Sequence, residues 1–277
     1  MAKVRLDVLL VERGLAESRA KAQALVMAGQ VRVKGQVLIK PASKVEPKDD
    51  VQVDLGPRFV SRGGDKLEAA FEAFDLQVRD RVCVDVGAST GGFTDCLLQH
   101  GAAKVYAIDV GHGILHWKLR KHPRVIVMEG TNARYVEHLP EPVAFVTVDA
   151  SFISLKILLP VIQNWFIHQP TADDGEPGGE AQQLVALIKP QFEAGRRVVA
   201  RGKGVVRDPE VHRQVLADVL AFTLQAGYQL LGLSRSPVMG PKGNIEFLAW
   251  LGYGGEPLQP DETLEERIEA VVESIAE

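Results

Sequence analysis

Cysteine is nearly absent from this 277-residue chain. The two present, Cys83 and Cys96, fall in an expected strand and an expected helix, where a buried, reduced thiol is the natural reading. Long apolar runs are also missing: none reaches the roughly 18–20 residues a membrane span needs. Met1 to Leu10 lacks an apolar core followed by a cleavage site, so no secretory signal and a cytoplasmic location are expected. Aromatic residues make up only 6% and do not occur in residues 1–58, which leaves the N-terminal part little means of stacking on bases. No Gly-x-Ser-x-Gly frame surrounds Ser151, which excludes that serine hydrolase pattern. His112 and His116 stand four apart without an evident third ligand, so no metal is expected.

Charge is present in ordinary amount but is unevenly placed. The net value is −4, yet residues 1–60 hold 11 Lys and Arg against 7 Asp and Glu, and residues 61–277 hold 21 against 29. A basic N-terminal part on an acidic body is the asymmetry expected where one part meets phosphate. Leu6, Leu9, Leu10 and Arg13 follow helical spacing until Gly14, and Ser18 can cap a second helix running to Ala28. Val31 to Val37 reads as two short strands around a Lys34-Gly35 turn, and Val51 to Leu55 adds a third. These elements predict a small α+β domain over residues 1–57, followed by a linker over 58–64.

From residue 65 to 277 the pattern is that of an α/β domain. After an amphipathic helix over 65–74 come continuous apolar strands at Val82–Val86, Lys104–Asp109, Val125–Met128, Ala144–Asp149 and Leu184–Lys189. Uninterrupted apolar strands alternating with helices mean a mostly parallel sheet covered on both faces. Gln229 to Ser234 and Ile245 to Leu251 read as a closing pair of strands with no helix between them. Residues 169–179 read as a surface insertion, 195–207 as a basic loop without an acid, and 261–276 as an acidic amphipathic helix.

Asp85-Val86-Gly87-Ala88-Ser89-Thr90-Gly91-Gly92 is a strand running into a glycine-rich turn and a helix, which directs free backbone N–H groups at a ligand. Ser89 stands where a dinucleotide fingerprint has its second glycine, and no Gly-Lys-Ser/Thr follows, so the turn is not a P-loop. Asp109 ends the next strand, where a carboxylate can accept both hydroxyls of an adenosine ribose. NAD and S-adenosylmethionine both satisfy this pattern. Lys66, Asp149, Lys189 and Glu246 lie far apart in sequence, each at a strand end or a helix start. Two lysines and two carboxylates brought to such a turn could run a proton abstraction under charge control.

The turn Asp85 to Asp95 resembles the cofactor loop of the TlyA family of ribosomal RNA methyltransferases, also known as hemolysin A. Ser61-Arg62-Gly63-Gly64-Asp65-Lys66-Leu67, Thr131-Asn132-Ala133-Arg134, Val148-Asp149-Ala150-Ser151-Phe152-Ile153-Ser154 and Ile188-Lys189-Pro190-Gln191-Phe192-Glu193 resemble that family as well. The N-terminal part resembles the RNA-binding domain named after ribosomal small-subunit protein four. The remainder is similar to the FtsJ-type ribose 2′-O-methyltransferases, with a Rossmann-like, seven-stranded sheet. The resemblance implies S-adenosylmethionine as cofactor and cytidine in ribosomal RNA or ribosomal subunits as substrate. It implies a catalytic set of Lys66, Asp149, Lys189 and Glu246; since a neutral lysine can take a hydroxyl proton, Lys189 is expected as base, with Lys66 lowering its proton affinity, Asp149 orienting it and facing the cofactor's sulfur, and Glu246 holding Lys66 or the ribose. Cofactor contacts are expected from Asp85, Gly87, Ser89, Gly91, Gly92, Phe93, Asp109 and Asn132, and phosphate contacts from Arg5, Arg19, Lys34, Arg62 and Arg134. A non-catalytic RNA-binding or ribosome-assembly factor and a membrane-active hemolysin are the competing readings. Arg58-Phe59-Val60 departs from the Arg-x-Trp-Val that actinobacterial members carry in the linker.

Overall fold

The structure, a computed structural model, describes residues 3–54, 56–166, 182–254 and 262–275. The chain divides into two compact units, Met1–Arg58 and Phe59–Glu277.

In the first unit, the Ser18 side chain accepts the Lys21 N–H at 3.2 Å and starts the helix Arg19–Met27, which packs on the helix Leu6–Glu12. Strands Gln36–Val37, Val31–Val33 and Val51–Val53 form an antiparallel sheet in that order. Lys34 and Gly35 join the first two at φ +50° and +80°, the left-handed pair whose twist suits a tight hairpin. Val4–Arg5 pairs with Lys44–Val45 as a separate ladder too short to be visible in a period-two pattern. Leu6, Leu9, Leu10, Leu25, Val26 and Val31 form the core of this unit.

The second unit is built on seven strands: β1 (Val82–Val86), β2 (Lys104–Asp109), β3 (Val125–Glu129), β4 (Phe145–Val148), β5 (Gln182–Ile188), β6 (Tyr228–Arg235) and β7 (Phe247–Tyr253). Their order is β6-β7-β5-β4-β1-β2-β3. All neighbours are parallel except β7, which runs antiparallel to both β5 and β6. Helices α1 (Gly63–Ala73) and α2 (Gly92–Gln99) cover one face, and α3 (Leu155–Ile162), α4 (Pro209–Gln225) and α5 (Leu264–Glu273) the other. Within β1, Val84 and Val86 enter the core under α3 and α4, while Cys83 enters the core under α1 and α2. Burial on both faces is why these strands read as unbroken apolar runs.

Two expectations are revised and a third is untested. The 58–64 stretch is not a free linker beyond Arg58: Phe59 is buried against α1, the Val60 N–H donates to Asp95 Oδ2 at 2.9 Å, and α1 already begins at Gly63. The basic stretch 195–207 is not all loop, because Arg196–Arg201 is helical. The 169–179 insertion lies outside the described residues.

Candidate active site

The strand order reverses between β1 and β4, and parallel sheets open a crevice at the carboxyl ends of such a pair. A cavity of about 390 Å³ lies there, its wall including Lys66, Gly87, Ser89, Gly92, Phe93 and Asp149. Gly87 has φ +83°, and a Cβ on it would stand 2.7 Å from the Asp149 carbonyl oxygen. Gly92 lets α2 abut α1: its Cβ would meet Ser61 Oγ at 2.5 Å and the Gly64 nitrogen at 2.6 Å. Behind the turn, Asp109 accepts the Ser89 N–H at 2.8 Å on one oxygen and the Gly111 N–H at 2.7 Å on the other. It thereby fastens the turn to the loop after β2.

Lys66 lies in the first turn of α1 and donates to Glu246 Oε2 at 2.6 Å. Lys189 follows β5 and pairs with Asp149, which follows β4, at 2.6 Å. Lys189 Nζ also donates to the Asp149 carbonyl at 3.2 Å and to Ser151 Oγ at 3.1 Å. Glu246 immediately precedes β7. Because β7 is antiparallel, its beginning lies at the sheet edge where β4 and β5 end, and the reversed strand brings the fourth residue to the other three. Gly240 leaves space for Glu246, since a Cβ there would stand 2.6 Å from Glu246 Cδ. The two lysines thus have separate carboxylate partners.

Several residues of the motifs stand back from the cavity wall. Asp85 is fully buried, accepting the Thr94 hydroxyl at 2.6 Å and the Thr147 hydroxyl at 3.4 Å. Burial, helped by the Asp149 charge and opposed by the Thr94 hydrogen bond, pushes its carboxyl up to about 7. It is therefore placed to brace the turn from beneath rather than to touch a ligand. Asn132 accepts the Arg134 N–H at 3.2 Å and caps the short turn Ala133–Tyr135. Gly91, at φ +97°, packs under Leu115 and Leu119.

Four further groups were not singled out as site residues, although Phe152, Gln191 and Glu193 lie within the motifs quoted above. Glu193 accepts the Ser154 hydroxyl at 2.6 Å and the Leu155 N–H at 2.8 Å, tying the segment after Lys189 to the segment after Asp149. Glu129 accepts the N–H groups of Gly113, Ile114 and Leu115 and the Arg120 guanidinium. Arg120 and the N–H groups of Leu115 and Gly113 hold its carboxyl down to about 2. Gln191 donates to Glu246 Oε1 at 3.0 Å. Phe152 is 89% exposed at φ +65°, a strained setting for a bulky residue. The motifs marked three of these positions, but the contacts they make depend on the fold, and Glu129 had no motif to mark it.

Residues 59–253 match the FtsJ-like methyltransferase family, and residues 4–51 match the S4 domain. The chain belongs to the TlyA family of FtsJ-like methyltransferases. It is 48% identical to YqxC of Bacillus subtilis, over 98% of this chain and 93% of that one. It is 42% identical to the 16S/23S rRNA (cytidine-2′-O)-methyltransferase TlyA of Mycobacterium tuberculosis, over 90% of each chain. Among solved structures, a hemolysin-named protein from Streptococcus thermophilus aligns with TM-score 0.69 and 41% identity, covering 100% of this chain and 98% of that one. No described helix is long and apolar enough to cross a membrane.

Membership in the family implies S-adenosylmethionine, and the cavity suits it. Its volume is within the range of small-molecule sites, roughly 300–1,000 Å³. The absent Cβ of Gly87 lets the turn lie close against the Asp149 backbone on the cavity wall, and Asp149 offers negative charge suited to a cationic sulfur. The expected phosphate contacts are unevenly placed. Arg62 is exposed on the cavity wall, and Arg134 is exposed with its guanidinium 4.4 Å from the Tyr135 ring. Arg5 and Arg19 both pair with the buried Asp7, at 2.9 and 3.1 Å, and Lys34 pairs with Asp49 at 2.8 Å. These three hold the first unit together as well as showing charge to solvent.

Proposed function

We propose that this protein transfers a methyl group from S-adenosylmethionine to the 2′-hydroxyl of a cytidine ribose in ribosomal RNA. The observation that carries the reading is the convergence of two lysine–carboxylate pairs on one sheet edge, beside a glycine turn and a cavity of cofactor size. The cytidine and ribosomal RNA follow from the relative at 42% identity. S-adenosylmethionine, when bound, supplies an electrophilic methyl group. Gly87, Ser89, Gly92 and Phe93 would line its seat, and Asp85, Gly91, Asp109 and Asn132 would keep the surrounding turn and loops in shape.

A ribose hydroxyl attacks well only as its proton leaves. Lys189 Nζ takes that proton in this reading. As an ammonium it spends three N–H donors on Asp149 Oδ1, the Asp149 carbonyl and Ser151 Oγ. A neutral amine keeps two donors and one lone pair, so it can hold two of these contacts and turn the lone pair to the hydroxyl. Lys66, anchored by Glu246, faces the developing charge on the oxygen. Since the lysines have separate carboxylates, Asp149 and Ser151 orient the base and Lys66 acts by stabilising charge. Arg62, Arg134 and the basic side chains of the first unit position phosphates.

The test uses tritium-labelled cofactor and ribosomal subunits from a strain lacking the enzyme. Lys189→Ala should lower methyl transfer by about 10²-fold or more, while calorimetry finds cofactor binding retained. Undiminished turnover in that variant would remove Lys189 from the role.

A further inference from the structure

Outside the tetrad, α1 and α2 bring three metal-ligating side chains together: Glu68 on α1, Cys96 within α2 and His100 at its C-terminal cap. None of the three lines the cofactor cavity. Cys96 and His100 are four residues apart, which places them on one helix face. Both aim at the same carboxylate oxygen: His100 Nε2 lies 2.7 Å and Cys96 Sγ 3.6 Å from Glu68 Oε2. The three ligand atoms all lie within 4.8 Å of one another. The Phe71 ring is parallel to the His100 ring, with centroids 3.6 Å apart, and fixes its plane. Cys96 is buried, but the side chains of Glu68 and His100 are 15% and 27% exposed, so a solvated ion can reach the cluster past them.

We propose that Glu68, Cys96 and His100 bind a Zn²⁺ ion across α1 and α2, with water as the fourth ligand. Thiolate, imidazole and carboxylate are the donors zinc takes, and three of them leave one tetrahedral position open. Zinc bonds of about 2.0–2.3 Å at tetrahedral angles set ligand atoms roughly 3.4–3.6 Å apart. The Cys96–Glu68 separation already has that value. The His100–Glu68 separation is that of a hydrogen bond and must widen by about 0.7 Å, a shift that rotation of the long Glu68 side chain supplies. In the metal-free protein the S–H and ring N–H hydrogens stand between the three atoms, and the ion takes their place. On binding, the thiol proton leaves to solvent as the Zn–S bond forms, and the imidazole gives the lone pair of Nε2 while keeping its hydrogen on Nδ1. His112 and His116 lack an evident third ligand, whereas this cluster has one. The ion touches neither cofactor nor RNA; it clamps the two helices that meet at Gly92. The proposal stands independently of the methyl-transfer reading.

The experiment takes the full chain, strips it with a chelator, and titrates Zn²⁺ in competition with a chromophoric chelator. The parent should bind one Zn²⁺ per chain, and Cys96→Ala and His100→Gln should each weaken binding by at least about tenfold. Affinity should fall as pH is lowered, because the ligands must give up protons. Co²⁺ in place of Zn²⁺ should show thiolate-to-metal charge-transfer absorption in the parent and none in Cys96→Ala. Zn²⁺ should also raise the melting temperature of the parent and leave that of the variants unchanged. No Zn²⁺ bound by the parent overturns the proposal and leaves the cluster a histidine–glutamate pair beside a thiol. So does equal affinity in parent and variants, which would place the ion elsewhere, and so does a parent Co²⁺ complex without thiolate absorption. Should Cys96→Ala fail to fold, His100→Gln and the parent Co²⁺ spectrum decide alone.

Discussion

Glu246 shows how a buried charge is kept in this protein. It is 0% exposed, and both oxygens are engaged, one by Lys66 and one by Gln191. Removing Lys66 alone strands the carboxylate, and breaking such a pair from one side costs about 3–5 kcal/mol. In denaturant unfolding, Lys66→Met and Glu246→Leu should each destabilise, and the double variant should lose less than their sum by about 0.5–3 kcal/mol. Strict additivity would mean the pair is not coupled. Asp85 makes the opposite case, a carboxyl buried with hydroxyl partners and, among the described residues, no cation. Its ordinary value of 3.8 is raised to about 7, chiefly by burial. Between those values the folded protein holds a proton that the unfolded chain has released, so stability falls as pH rises through that window. The limit is about 1.4 kcal/mol per pH unit. Asp85→Asn cannot ionise, and its melting temperature should decline less between pH 5 and 7 than that of the parent. An identical decline would show that Asp85 does not carry this proton.

At the scale of elements, the close approach of α1 and α2 matters most, because α1 carries Lys66 and α2 begins at the glycine turn. Gly92→Ala puts a methyl 2.5 Å from Ser61 Oγ and 2.6 Å from the Gly64 nitrogen, so the helices must part. A misplacement near 1 Å in a reacting site costs up to about 10²-fold. Turnover should fall on that order while circular dichroism finds the helix content intact; normal turnover would mean the gap is slack. Elements of this kind were legible to differing degrees. The apolar strands were plain because both their faces are covered, and Val82–Val86 and Lys104–Asp109 have the bounds their sequence suggested. The hairpin at Lys34-Gly35 and the Ser18 cap were plain because their chemistry is local. The Val4–Arg5 ladder and the Arg196–Arg201 helix were not, being two and six residues long. Of the site, the four lysines and carboxylates could be singled out and Glu246 was expected to hold Lys66 or the ribose; it holds Lys66, 180 residues away, but nothing in the sequence told that Asp7 would take Arg5 and Arg19. Gln191 stood within the motif Ile188 to Glu193, but its contact with Glu246, 55 residues away, was not legible.

Taken whole, the chain joins a small basic unit to an acidic catalytic one, and its two ligands should answer differently to salt. RNA binding through phosphates releases counterions, so its affinity should fall steeply and log-linearly with salt. Cofactor affinity in the cavity should change little over the same range. Parallel slopes for both ligands would argue against phosphate contacts as the source of RNA affinity. Phe59, buried against α1, begins the catalytic unit directly after Arg58. The central claim concerns the atom that receives the methyl group, and one measurement reaches it. Ribosomal subunits from a strain lacking the enzyme are methylated in vitro, their RNA is digested to nucleosides, and the products are resolved by mass spectrometry. The account predicts 2′-O-methylcytidine, formed by the parent protein and lost with Lys189→Ala. A methyl group on a base, or 2′-O-methylcytidine formed equally by that variant, would contradict it.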